Sequence, residues 1–227
     1  MSEPNRKPTV REIAGYAATL IEFEHAGVQV LLYQVARLED LVDREALLRE
    51  DLVPDPPYWA HLWTGARALA RSLAEAGGLS ARRVLDLGCG LGLPGLVAAA
   101  LGAEVWLVDR EAAALEFVRA SARRNRLEHT HCVELDFVRG ALDRKFDVIL
   151  GAELVYDPQT YGPLCDFLER HLAPNGVIHL TDAFRSDAEN FFAELRRRGF
   201  EGSRRSWREW EDGRPHGLFL WTFRRTG

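Results

Sequence analysis

Apolar residues recur along the chain with two different periods. Over residues 9–23, Ile13, Tyr16, Ala17, Leu20 and Ile21 fall at helical spacing and predict a helix. Residues 28–35 are dense in β-branched and apolar side chains and predict a strand. An acidic stretch over residues 38–52 reads as helical and stops before the turn-prone Pro54-Asp55-Pro56-Pro57. Together these segments predict an N-terminal cap over residues 1–53, ahead of a main domain over residues 54–227.

From Tyr58 a helical stretch runs to Leu73, interrupted by Gly65 and terminated by Gly77-Gly78. Beyond it, strand-like runs at 84–87, 103–108, 131–135, 146–150 and 177–181 alternate with helical segments at 96–101, 111–124, 161–172 and 188–198. That alternation predicts the α/β class: a Rossmann-like, doubly wound sheet, mostly parallel, with helices on both faces. Two last runs, 202–207 and 218–223, are joined by turn-forming residues 209–217 and predict an antiparallel hairpin at the sheet edge.

Composition narrows the function classes. At 227 residues, 47% hydrophobic and 28% charged, the chain is long enough for one domain with a substantial core. A net charge of −5 gives no electrostatic footprint for a nucleic-acid backbone, so no nucleic-acid partner is expected. Cys89, Cys132 and Cys165 are odd in number and widely spaced, the pattern of reduced thiols. Residues 1–8 are polar, and no run approaches the ~20 apolar residues of a membrane helix, so the expected location is cytoplasmic. The histidines show no paired metal-ligand spacing, and no Gly-x-Ser-x-Gly elbow is present, so neither a metal site nor a hydrolase is expected.

The chemistry concentrates in Val84-Leu85-Asp86-Leu87-Gly88-Cys89-Gly90-Leu91-Gly92. Alternate glycines permit positive φ and remove the Cβ atoms that keep a ligand off the backbone. Pro94 suits the first turn of the helix that follows. Asp109 then closes the next strand about 20 residues on, where folds of this kind hold ribose hydroxyls.

Two cofactors compete for this loop. Read one step later, Gly90-Leu91-Gly92-Leu93-Pro94-Gly95 also satisfies a dinucleotide pattern. Three features favour S-adenosylmethionine. Asp86, just ahead of the glycines, would face a pyrophosphate unfavourably but suits a cationic amino-acid moiety. Little chain remains for a dehydrogenase's substrate domain. Asp136, at the end of the third strand, is placed to accept from an adenine amino group.

The loop, Asp109, Asp136-Phe137 and the run Phe146-Asp147-Val148-Ile149-Leu150-Gly151-Ala152-Glu153-Leu154-Val155-Tyr156 resemble the seven-strand S-adenosylmethionine-dependent methyltransferases, over roughly residues 54–223. Pro57-Tyr58-Trp59-Ala60-His61-Leu62-Trp63 before the first strand, with Glu153 to Tyr156 after the fourth, resembles the protein-lysine methyltransferase group. That group includes the enzyme acting on the electron transfer flavoprotein β subunit and proteins described as nicotinamide N-methyltransferase-like.

The resemblance implies S-adenosylmethionine as cofactor and S-adenosylhomocysteine as product. It places Gly88, Cys89 and Gly90 along the methionine part, Asp109 on the ribose, and Trp63 and Ala152 against the cofactor. Phe137 stands where that group often carries a Trp near adenine, and Glu153 stands where many members have Asp. The implied acceptor is a protein lysine. Glu153 is then expected to orient the amine, Tyr156 to accept from it or stack against it, and Trp63 and Trp59 to add cation–π contact of about 0.5–2 kcal/mol.

Each assignment has a purely structural counterpart. Asp86 also reads as a cap of the glycine turn, Trp63 as a core residue and Tyr156 as a strand-end aromatic. A small-molecule amine acceptor and a non-catalytic cofactor-binding module are the alternatives to a protein-lysine methyltransferase. Oligomeric state is not readable from the residues.

Overall fold

The computed structural model describes residues 11–41, 57–183, 188–211 and 213–226. The chain opens with β1 (Arg11–Ile13), β2 (Tyr16–His25) and β3 (Val28–Val35), which form a three-stranded antiparallel sheet. Over the described part of the helix expected at 9–23, residues 11–23, strands stand in its place. Ala14 and Gly15 take φ of +52° and +82°, a turn that folds β1 back on β2 and interrupts any continuous helical face. β2 pairs with β3 from Ala18↔Val35 to His25↔Val28. These ladder bonds, with the β-branched Thr19 and Ile21, override the helical spacing. The strand expected over 28–35 is present. Of the acidic stretch, Leu38–Leu41 forms a 3-10 turn. Its remainder and Pro54-Asp55-Pro56 lie outside the described residues.

The main body continues with α1 (Thr64–Ala76), β4 (Arg83–Leu87), α2 (Leu93–Ala100), β5 (Glu104–Asp109), α3 (Ala112–Asn125), β6 (Thr130–Glu134) and β7 (Phe146–Ala152). Then follow α4 (Tyr161–His171), β8 (Leu172–Ala183), α5 (Ala188–Arg197), β9 (Phe200–Glu211) and β10 (Arg214–Arg225). Seven strands form one sheet in the order β6-β5-β4-β7-β8-β10-β9. Pairs from β6 to β8 are parallel, and β10 is antiparallel to both β8 and β9. The edge hairpin is longer than expected: residues 209–211 and 214–217, read as loop, continue the ladder through Arg214↔Glu211. Gly213, at φ +73°, makes the turn tight.

Strand alternation divides the interior into two cores. Val84, Val105, Leu107, Val148 and Leu150 face α1, α2 and α3, whereas Leu85, Leu87, Trp106, Val108 and Ile149 face α4 and α5. The expected helical stretch from Tyr58 is broken: residues Tyr58–Ala60 make a 3-10 turn, and extended backbone at His61 and Trp63 precedes α1. Gly65 lies in the first turn of α1 and does not interrupt it.

The N-terminal sheet is joined to the main body through α3. Asn125 Oδ1 accepts the Leu31 amide at 2.8 Å, and Ser121 Oγ accepts the Tyr33 amide at 2.9 Å. Two side chains one helical turn apart thus satisfy alternate amides on the open edge of β3. Chain direction across the large sheet reverses between β4 and β7. In open α/β sheets that switch point, at the carboxyl ends of the strands, is where ligands bind.

Candidate functional site

A cavity of about 360 Å³ opens at this switch point, within the range of small-molecule sites. One wall is the turn from β4 to α2. Gly88 and Gly90 hold φ of +58° and +52°. A Cβ on Gly88 would collide with Leu154, and one on Gly90 would sit 3.1 Å from the Trp59 carbonyl oxygen. Trp59 is itself buried, its ring 5.9 Å from Tyr16 and 5.5 Å from Phe117. Trp59, expected to offer cation–π contact, lines the cavity, while its ring packs against the N-terminal sheet and α3 and its carbonyl backs the glycine turn.

Asp109 ends β5 at the cavity wall. Its Oδ2 accepts the Gly90 amide at 2.8 Å and its Oδ1 the Glu111 amide at 3.0 Å. Burial pushes its carboxyl above the usual range, and these two amides oppose that push. Cys89 also lines the cavity; burial raises its thiol well above the ordinary value, which keeps it neutral.

Asp86 lies apart from these residues. It is 1% exposed, absent from the cavity wall, and its Oδ2 accepts the Gly95 amide at 2.8 Å. The acid expected beside an amino-acid moiety instead sits beneath α2 and caps its first turn. Burial pushes its carboxyl up to about 8, against the pull of the Gly95 amide.

Asp136 and Phe137 line the side of the cavity beyond β6. Asp136 Oδ1 accepts the Val138 amide at 2.9 Å, and the Phe137 ring meets Phe167 edge-on at 6.3 Å. The same loop is tied to α4 by His171, whose Nε2 accepts the Leu142 amide at 2.9 Å. Burial lowers the His171 pKa and favours the neutral ring that this bond needs.

Part of the cavity lining is aromatic. Tyr58, 45% exposed, has its ring 5.8 Å from Tyr156, which is 50% exposed, and 6.0 Å from Trp63. Trp63 Nε1 donates to the Tyr58 carbonyl at 2.8 Å, and the His61 ring meets Trp63 edge-on at 4.7 Å. Ala152 closes β7 at the cavity, and Glu153 follows at φ +56°. The structure thus gathers Trp63, Gly88, Cys89, Gly90, Asp109, Asp136, Phe137, Ala152, Glu153 and Tyr156 around one cavity.

Two contributors were not read as site residues from the sequence. Tyr58 bridges Trp63 and Tyr156, and its place beside Trp59 in an aromatic run was the available signal. Glu211, from the far end of β9, pairs with the cavity residue His61 at 3.4 Å and accepts from Thr64 Oγ1 at 3.0 Å. Nothing local to Glu211 signals that contact. Among the described residues no three His, Cys, Asp or Glu side chains form a metal site, and no helix is long and apolar enough to cross a membrane.

Comparison with known proteins agrees with this geometry. Residues 58–152 match the family model described as methyltransferase small domain. The chain is 38% identical over 150 residues to protein N-lysine methyltransferase METTL21A of Danio rerio, covering 61% of this chain and 67% of that protein. It is 37% identical over 140 residues to the electron transfer flavoprotein beta subunit lysine methyltransferase of Danio rerio, covering 60% of this chain and 54% of that protein. Among solved structures, the glycopeptide N-methyltransferase MtfA complexed with S-adenosylmethionine superposes with a TM-score of 0.59 at 18% identity, over 70% of this chain and 86% of that one. Strand order, glycine turn, terminal acid and sequence relatives together show that the chain belongs to the seven-strand, class I S-adenosylmethionine-dependent methyltransferases, in the group that contains the protein N-lysine methyltransferases.

Proposed function

We propose that the chain is an S-adenosylmethionine-dependent N-methyltransferase whose acceptor is the ε-amine of a protein lysine. The observation that carries this reading is one cavity lined both by the glycine turn with Asp109 and by Glu153 with Tyr58, Trp63 and Tyr156. The similarity to relatives named protein N-lysine methyltransferases supports the same acceptor.

The residues fit the cofactor chemically. Two of the roughly four lone-pair directions of the Asp109 carboxylate are taken by the Gly90 and Glu111 amides, which leaves acceptor capacity for ribose hydroxyls. Gly88, Cys89 and Gly90 offer a backbone surface for the methionine part, and Ala152 and Trp63 line the same cavity. Phe137 offers an apolar face for adenine, and Asp136 a carboxylate beside it. Asp86 in this reading shapes the loop and makes no cofactor contact.

Bound S-adenosylmethionine supplies an electrophilic methyl group on a sulfonium and leaves as S-adenosylhomocysteine. The protein's task is alignment and an uncharged amine. Glu153 orients the incoming ammonium. A neighbouring carboxylate raises an amine's pKa, so the proton leaves to water or to Glu153 as the amine reaches the methyl group. Tyr156, Tyr58 and Trp63 present aromatic faces that hold the cationic form by cation–π attraction. Of the N-terminal cap proposed over residues 1–53, Tyr16 packs on Trp59 and thereby steadies the loop of the domain over residues 54–227. The unpaired thiols of Cys89, Cys132 and Cys165 suit a cytoplasmic location, and the acidic net charge suits a partner other than nucleic acid.

The test is incubation with methyl-labelled S-adenosylmethionine and a cell lysate, followed by separation of proteins from small molecules. Label in protein is expected; label confined to small molecules rejects the lysine acceptor.

A further inference from the structure

Gly65 is the second residue of α1, follows the N-cap Trp63 by two positions, and is buried. Its backbone is ordinary, so positive φ does not explain a glycine there. In a helix Gly costs about 1 kcal/mol relative to Ala. What distinguishes the position is space. A Cβ on Gly65 would sit 2.6 Å from Glu153 Oε1, 2.9 Å from Glu153 Cγ and 2.6 Å from Thr181 Oγ1.

Two hydrogen bonds hold Glu153 around that gap. Its amide donates to the Thr181 carbonyl at 3.1 Å, and its Oε2 accepts the Ala183 amide at 3.3 Å. Its φ of +56° turns the chain sharply out of β7 and directs the side chain back toward α1. The carboxylate therefore occupies the space beside the first turn of α1. The extra methylene of Glu over Asp carries Oε1 into the volume that a side chain at residue 65 would fill.

We propose that Gly65 is a positioning residue for methyl transfer: its missing Cβ seats the Glu153 carboxylate beside the α1 N-terminus, in the orientation that faces the acceptor amine. The proposal rests on the reading of Glu153 as the group that orients the amine. It makes Gly65 and Glu153 one functional unit although they lie 88 positions apart on different elements. All three colliding atoms, Glu153 Oε1, Glu153 Cγ and Thr181 Oγ1, belong to side chains and none to backbone, so Gly65→Ala acts by displacing Glu153 and Thr181.

The experiment is a double-mutant cycle on turnover of the full chain, using methyl-labelled S-adenosylmethionine and lysate protein as acceptor, with calorimetry of cofactor binding on every variant. Gly65→Ala is expected to lower turnover by about 10- to 100-fold, the scale of an ångström-sized misplacement, with cofactor affinity within about twofold of wild type. In a Glu153→Ala background the same change is expected to alter turnover by less than about twofold, because the two positions act as one. Losses that multiply, or full turnover in Gly65→Ala while Glu153→Ala is impaired, overturn the positioning role. Full turnover in Glu153→Ala instead overturns the reading of Glu153 beneath it. Should Gly65→Ala fail to fold, Gly65→Ala with Thr181→Ala removes the second collision and leaves Glu153 as the displaced group. The same pattern of non-additivity is then expected against Thr181→Ala alone.

Discussion

Asp109 Oδ2 accepts the Gly90 amide at 2.8 Å, so the acid at the end of β5 and the middle of the glycine turn move as one body.

Removing that acid should weaken the cofactor more than the fold. Asp109→Ala deletes the proposed acceptor for ribose hydroxyls and leaves the Gly90 and Glu111 amides without their partner. Loss of a hydrogen bond to a charged group is worth about 1.5–3 kcal/mol, or roughly 10- to 100-fold in affinity. Calorimetry with S-adenosylmethionine measures it, and unaltered affinity would remove the ribose assignment.

Trp59 should behave as a keystone of structure rather than as a substrate contact. Its ring lies between Tyr16 and Phe117, and its carbonyl backs Gly90. Trp59→Ala is expected to cost about 3–5 kcal/mol of stability, the usual range for a buried aromatic. Chemical denaturation checks it. A loss below about 1 kcal/mol would separate the N-terminal sheet from the stability of the loop.

Asp86 predicts a pH signature. Its folded pKa of about 8 lies above the unfolded value of 3.8, so the protonated form is favoured by folding. Its contribution is fully present below pH 3.8 and is lost as pH rises through about 8. Asp86→Asn keeps a neutral side chain of the same shape at every pH. The melting temperature of Asp86→Asn minus that of wild type should therefore increase from pH 5 to pH 8; a difference independent of pH contradicts the shift.

Glu153 and Tyr156 should govern transfer and leave cofactor binding alone. Glu153→Ala is expected to reduce turnover by about tenfold or more, within the range for a positioned acid–base group. Tyr156→Phe keeps the ring contact with Tyr58 and tests the hydroxyl separately. Steady-state rates with binding measured in parallel decide the matter, and full turnover in both variants would make the two residues structural.

The sequence exposed the parts of this molecule governed by local rules. Alternating strands and helices, the glycine turn and the acid after the second strand all depend on short-range pattern, and the fold follows them closely. The segment over residues 9–23 was misread because Gly15 permits a turn that composition alone does not announce, and pairing with β3 then decides the conformation. Asp86 was placed at the cofactor by its neighbourhood in sequence. In three dimensions the Gly95 amide, one helical turn into α2, claims its carboxylate. Glu211 and Gly65 were invisible as site residues because their roles depend on His61 and Glu153, which only the folded sheet brings to them.

The central claim, methyl transfer to the ε-amine of a protein lysine, is tested most directly by tandem mass spectrometry of proteins methylated by the wild-type chain and not by Asp109→Ala. The account predicts methyl groups on lysine side chains in the wild-type reaction alone. Methylation confined to small molecules, or to residues other than lysine, would contradict it.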